Sequence, residues 1–274
     1  MRAIEFLGGE AAGDGLWDFT IGRELHGAFG GAFGGALTAC TVLAARSLVG
    51  GRVPSALDVR FLRGLGAGTA RITPTLIHEG RSLSCVSVDV VDARGKLTTR
   101  ATISFVDPAI LHPLDDEGSA GSWKPSRDDG GVPWQQPPGV EVPIVTSLRP
   151  RAVGLDERGI ATALAIPWDE DVSGASAEAA CLAADICVGP PVAQACTSGW
   201  IPHPNPDLSL RFLGSVVGDE VVGIGRLERM DHGLAGVRIE VRSGERLVAI
   251  GVSDSMLLDL EPPDARKAPP AERS

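Results

Sequence analysis

The sequence predicts an α+β protein built from two copies of one unit, each a curved antiparallel sheet wrapped around a central helix. Three observations lead to this expectation: a helix with almost no polar surface, a series of alternating strand segments after it, and the return of the same order of elements in the second half. A helix that is apolar on nearly every side has to be buried, and a sheet can cover it.

The first helix is expected within residues 28–48, after a glycine-rich start. The segment is long enough to raise the question of a membrane span, but glycines crowd its first half and Arg46 interrupts its second half. We therefore expect a core helix. Glycines let other groups approach the backbone, and the N–H groups at a helix start point at whatever lies there. This start is a suitable place for a carbonyl or an anion.

The segments that follow the helix alternate apolar and polar positions, as half-buried strands do. Glycine-containing turns between them are typical of hairpins. A shorter segment at residues 17–21 could form a strand before the helix. The alternating segments are residues 55–62, 70–78, 82–91 and 97–105.

The second half repeats this order. Leu57-Asp-Val-Arg-Phe-Leu62 returns as Leu208-Ser-Leu-Arg-Phe-Leu213, so that the two phenylalanines are 151 residues apart. An alanine-rich segment at residues 173–187 occupies the position of the first helix. A repeat of this length indicates two copies of one unit.

The repeat divides the chain into four parts. The segment between the copies is rich in Pro, Gly, Ser and Asp, which is typical of a linker over the surface, and the polar, Pro-rich end is typical of a disordered tail. The expected parts are an N-terminal unit at 1–108, a surface linker at 109–143, a C-terminal unit at 144–262 and a tail at 263–274.

Composition narrows the class of protein. The chain of 274 residues has a formal net charge of -10, which argues against nucleic acid as a partner, since phosphate binding needs clustered Lys and Arg. Its five cysteines form no CxxC pair and its histidines are scattered, so we expect free thiols in a reducing cytoplasm and no metal site. The first twenty residues lack the apolar core of a signal peptide.

Several short motifs resemble a known family when they are taken together. In their order and spacing, Phe33-Gly34-Gly35, Phe61-Leu62-Arg63 and Gly80-Arg81-Ser82 resemble the double-hotdog acyl-CoA thioesterases of the thioesterase II type. The resemblance covers residues 15–108 and, more loosely, 145–260. It implies that each unit is a hotdog and that the protein hydrolyses acyl-CoA to free acid and CoA without a metal or nucleotide cofactor.

The resemblance also implies site residues. The Asp that activates water in the family falls at Asp185, on the second central helix. The position of the family's Thr or Ser falls at Asn205, and that of its Gln falls at Ser253, so two of the three depart from the pattern. Asn and Ser side chains can still orient a water molecule by hydrogen bonds.

The residues themselves fit this chemistry. Thioester hydrolysis needs a nucleophile, a base and donors for the developing oxyanion. Asp185 is the only acid within the apolar stretch 179–188, and burial would raise its pKa and improve it as a base. The other interpretation is that Asp185 faces solvent or caps a loop.

Substrate contacts are expected at the start of the first helix. An amide near Gly34 or Gly35, beside Phe33, could polarise the thioester carbonyl, and Arg81 could bind the phosphates of CoA. Close packing of the glycines and a solvated turn at Arg81 are the plainer interpretations.

Two other functions stay open at this point. A non-catalytic acyl-CoA binder would keep the pocket and lack hydrolysis. A hotdog hydratase or dehydratase would place a His about five residues after the Asp, where this chain has Pro190. Acyl chain length is open, and so is oligomeric state, although sheet edges could associate into a homo-oligomer.

Overall fold

The computed structural model describes residues 1–112, 130–136, 139–155, 159–169, 172–197 and 199–259. Most of the expected linker and the whole of the expected tail lie outside these ranges. The helices in the described ranges are α1 (Ala3–Phe6), α2 (Gly34–Arg46), α3 (Val145–Leu148), α4 (Ser176–Ile186) and α5 (Gly189–Ala195).

The strands of the described residues form one antiparallel sheet of thirteen strands. Four of the strands, β3 to β6, coincide with the alternating segments that the sequence predicts. In chain order the strands are β1 (Gly9–Gly13), β2 (Leu16–Ile21), β3 (Val53–Phe61), β4 (Gly68–Glu79), β5 (Leu83–Val91), β6 (Leu97–Val106), β7 (Val132–Pro133), β8 (Arg151–Leu155), β9 (Gly159–Ala165), β10 (Asp207–Phe212), β11 (Glu220–Asp231), β12 (Leu234–Ser243) and β13 (Arg246–Met256).

The order of the strands reflects the sequence repeat. At the centre of the sheet β3 pairs with β10, in a register that sets Arg60 opposite Asp207. Outward from this pair, one side runs β3-β6-β5-β4-β2 and the other runs β10-β13-β12-β11-β9. The two sides therefore present the same sequence of strands around the seam between the two copies of the repeat.

Helices α2 and α4 are buried and pack on each other as well as on the sheet. The start of α2 lies against the end of α4, while Arg46 at the end of α2 pairs with Glu178 near the start of α4, so the helices run antiparallel. Small side chains on α2, such as Ala39 and Cys40, permit this close approach. The hydroxyl of Thr38 donates to the Gly34 carbonyl and thus needs no outside partner.

Two glycines of β11 let α4 lie directly on the sheet. A Cβ atom at Gly223 would overlap the carbonyl oxygen of Ala183, and one at Gly225 would overlap that of Cys187. Their backbone conformation is ordinary, so the reason for glycine here is close approach.

The first helix is shorter than the sequence predicts. It begins at Gly34 and ends at Arg46, whereas residues 28–33 form a loop in which Gly30 adopts a φ of 72°. That conformation suits glycine and stops the helix from extending backwards. No helix among the described residues is both long enough and apolar enough to cross a bilayer.

Candidate active site

The carboxylate of Asp185 lies where the two central helices meet. It belongs to the last turn of α4 and is 7% exposed. Its Oδ1 atom accepts a hydrogen bond of 2.7 Å from Nδ2 of Asn205, and the backbone N–H of Gly35 donates to the same carboxylate. The site thus combines a side chain of the second half with a helix start of the first half.

Glycines at the start of α2 make room for this carboxylate. A Cβ atom at Gly34 would lie 2.9 Å from Oδ1 of Asp185 and 3.0 Å from the ring of Phe61. One at Gly35 would lie 2.8 Å from the carbonyl oxygen of Cys181. Real Cβ atoms do not approach so closely, so larger residues would push α4 away from the helix start.

Burial raises the pKa of Asp185 to about 6, although the hydrogen bonds from Asn205 and Gly35 oppose the shift. Desolvation penalises the charged form, while donors to the carboxylate favour it. With this pKa, about nine in ten molecules carry the ionised form at pH 7. Asp185 is therefore ionised near neutral pH and more basic than an exposed Asp, which suits a general base. The alternative that it faces solvent is wrong.

Asn205 and Ser253 meet at one backbone oxygen. The carbonyl of Asp207 accepts a hydrogen bond of 2.6 Å from the hydroxyl of Ser253 and a longer one of 3.4 Å from the amide of Asn205. Ser253 is 2% exposed. Its hydroxyl supports the segment that carries Asn205, and within the described residues it makes no hydrogen bond to Asp185.

Of the two remaining candidate residues, Phe33 lies at the site and Arg81 lies outside it. Phe33 is the N-cap residue of α2 and its ring packs over Gly35, so it lies beside the carboxylate. Arg81 lies in the exposed turn between β4 and β5, where its carbonyl accepts from Arg52. Among the described residues Arg81 forms no hydrogen bond or ion pair with the group around Asp185.

The sequence did not predict the contacts that Phe61 and Glu178 make in this region. The ring of Phe61 lies against the same space as the carboxylate, and its only signal was membership of a repeated motif. Glu178 is 0% exposed and pairs with Arg46 at 2.8 Å across the two helices. A signal for that pair was present, since Arg46 is the only charged residue of α2 and Glu178 is one of two in the mostly apolar α4.

No cluster of three or more His, Cys, Asp or Glu side chains in the described part of the chain could hold a metal ion. All five cysteines are free, and those on the two central helices, Cys40 and Cys181, are buried.

Comparison with known proteins gives a family match for the first half of the chain and structural matches for its fold. Residues 23–106 match the family model described as the acyl-CoA thioesterase N-terminal domain. Among curated proteins, none matches this chain.

Solved structures match almost the whole chain. A thioesterase candidate from Novosphingobium aromaticivorans has a TM-score of 0.77 at 19% identity, covering 92% of this chain and 98% of its own. A hot dog fold protein from Alicyclobacillus acidocaldarius scores 0.76 at 19%, covering 95% and 100%. An acyl-CoA thioesterase II from Mycobacterium marinum scores 0.74 at 15%, covering 94% and 98%.

At these identities the structural likeness shows the fold, and the family match covers the N-terminal part. The resemblance drawn from short motifs is thereby confirmed: residues 23–106 match the model of the acyl-CoA thioesterase N-terminal domain, and the chain shares the hotdog fold of the Alicyclobacillus acidocaldarius structure.

Proposed function

We propose that this protein is an acyl-CoA thioesterase that hydrolyses an acyl-CoA to a free carboxylic acid and CoA, with Asp185 activating the attacking water. The observation that carries the proposal is the buried carboxylate of Asp185 between the amide of Asn205 and the start of α2. We also propose that the chain is two tandem hotdogs, one around α2 and one around α4. The site would then lie at the junction of the two units.

The proposed reaction uses the proton affinity of Asp185. The ionised carboxylate takes a proton from water as the water oxygen bonds to the thioester carbonyl carbon. Asn205 orients the carboxylate and the water. When the tetrahedral intermediate collapses, the carbon–sulfur bond breaks and the proton passes from Asp185 to the leaving sulfur. The products are the free acid and the CoA thiol.

The start of α2 would polarise the thioester carbonyl. The first N–H groups of a helix have no partner within the helix and carry partial positive charge. Because the amide of Gly35 donates to Asp185, we assign the neighbouring amide of Gly34 to the thioester oxygen. Phe33 and Phe61 would exclude bulk water from this oxygen and so strengthen the interaction.

A second candidate is a non-catalytic acyl-CoA binder. It is favoured by Ser253, because the hydroxyl at the position of the family's Gln is bonded to the Asp207 carbonyl and, among the described residues, makes no hydrogen bond to Asp185. Such a protein would retain the fold and bind acyl-CoA while lacking turnover.

Free thiol release from short, medium and long acyl-CoAs separates the two candidates. We expect release by the wild type, and a fall in kcat of about 10- to 100-fold for Asn205→Ala, which removes the orienting amide. Ser55→Ala is the matched control, since it removes a hydrogen bond to the Ser104 carbonyl in another part of the sheet. Binding of acyl-CoA without release at any chain length would overturn the thioesterase proposal.

The proposal extends to the cellular location and the assembly of the protein. The free cysteines are consistent with a reducing cytoplasm, and hydrolysis of acyl-CoA would place the protein in lipid metabolism. Strands β1 and β7 form the two edges of the described sheet, where a homo-oligomer would assemble.

A further inference from the structure

An exposed aromatic ring stacks on a half-buried one across the two halves of the chain. Phe29 lies in the loop before α2 and Trp200 in the loop before β10, with ring centroids 6.3 Å apart and planes inclined by 27°. Phe29 is 43% exposed in spite of this contact. Large aromatic rings usually bury more of their surface than Phe29 does, so its exposed ring beside Trp200 is a candidate contact surface.

Both loops lead directly into the Asp185 site. Phe33, the N-cap residue of α2, follows four residues after Phe29, and Asn205 follows five residues after Trp200. A segment of this length spans at most about 18 Å. The stacked pair therefore lies within about 18 Å of the residues that surround the carboxylate.

The two rings are held in different ways. The loop of Trp200 is fastened to β13, because the carbonyl of Pro204 accepts from the N–H of Met256 at 3.0 Å. The ring of His203, bonded to the Ile201 carbonyl, packs against Trp200 at 6.4 Å. The position of the Trp200 ring is thus fixed by its neighbours.

Phe29, by contrast, stands on the tip of a small loop. This loop is closed by hydrogen bonds from the N–H of Gly27 to the carbonyl of Gly31 and from the N–H of Phe33 to the carbonyl of Leu25. A Cβ atom at Gly30 would meet nothing within 4 Å, so the tip has open space beside it. The ring of Phe29 is therefore less enclosed than that of Trp200.

We propose that Phe29 and Trp200 form the surface on which the pantetheine arm of a CoA thioester lies at the entrance of the site. The inference rests on the proposed function. A thioester that reaches the buried Asp185 must continue to solvent through its pantetheine arm, because the phosphates of CoA remain hydrated. The acyl chain gains most from apolar burial and belongs deeper in the protein. Amide and methyl groups of the arm pack well against aromatic faces.

Phe29→Ala tests this assignment. We expect KM to rise about fivefold to tenfold, by a similar factor for short, medium and long acyl-CoAs, with kcat changed less than about twofold. Phe6→Ala is the matched control, since it breaks another aromatic pair, with Trp168, outside the two site loops. It should leave KM unchanged.

Binding of CoA itself gives a readout that needs no turnover. CoA should quench tryptophan fluorescence in the wild type, lose affinity about fivefold to tenfold in Phe29→Ala and cause a smaller quench in Trp200→Phe, which keeps an aromatic ring for folding. A rise in KM confined to long acyl chains, or unchanged KM and CoA affinity in Phe29→Ala, would overturn the assignment. A wild type that binds CoA through this surface but hydrolyses nothing would refute the thioesterase proposal alone.

Discussion

Replacing Asp185 by Asn should make the protein more stable, and increasingly so as the pH rises. The Asn side chain keeps an oxygen that can accept a hydrogen bond from Asn205, but it cannot ionise. The wild type has to bury a charge at neutral pH, whereas the variant does not. The buried charge of Asp185 lowers the stability of the wild type while serving its chemistry, and this explains why the variant should be more stable.

The magnitude follows from the raised pKa. The pKa of Asp185 rises from 3.8 to about 6, so between these values the folded state holds the proton more tightly than the unfolded state. The wild type therefore loses stability as the pH rises through this window, by about 3 kcal/mol once both states are ionised. About 1.4 kcal/mol of that loss falls between pH 5 and pH 8.

Urea unfolding of both proteins at pH 5 and pH 8 measures this effect. The free-energy difference between Asp185→Asn and wild type should grow by about 1.4 kcal/mol in favour of the variant. Any cost of the new amide group is independent of pH and cancels in this comparison. Asp92→Asn is the control: backbone hydrogen bonds from Lys96 and Arg94 lower the pKa of Asp92, so it is ionised in both states throughout this range. A difference for Asp185→Asn that is constant or shrinks with pH would refute the reasoning.

Two further predictions concern rate and packing. The kcat/KM of the wild type should fall about tenfold per pH unit below about pH 6, because only ionised Asp185 accepts a proton. A pH–rate profile that is flat from pH 5 to pH 8 would exclude Asp185 as the base. Arg46→Ala should lower the free energy of unfolding by about 3 kcal/mol, since it removes the partner of a buried carboxylate. Arg71→Ala breaks an exposed pair and should lower it far less. Equal losses in urea unfolding of these two variants would contradict that account.

Much of the fold was predictable from the sequence because its signals are local or repeated. Alternation of apolar and polar positions located β3 to β6, and the recurrence of one motif around Phe61 and Phe212 anticipated the matching strand order on the two sides of the sheet. The bounds of α2 were less predictable, because residues 28–33 are as apolar as the helix. What separates them is the φ of Gly30, and glycine permits but does not dictate that conformation.

The site was predictable only in part. Asp185 was identified as the only acid of the apolar stretch 179–188 and by resemblance, but its bond to the Gly35 amide joins residues 150 positions apart, which no local pattern reveals. Ser253 was expected to help Asp185. A serine side chain is shorter than that of Gln, and its hydroxyl is instead taken up by the nearby Asp207 carbonyl.

The most direct test of the central claim is free thiol release from a panel of acyl-CoAs by the wild type and by Asp185→Asn, measured side by side at pH 8. The account predicts turnover by the wild type with at least one chain length and a loss of about 100-fold or more in kcat for the variant, with CoA binding retained. Turnover by Asp185→Asn at the wild-type rate would contradict the assignment of Asp185 as the base.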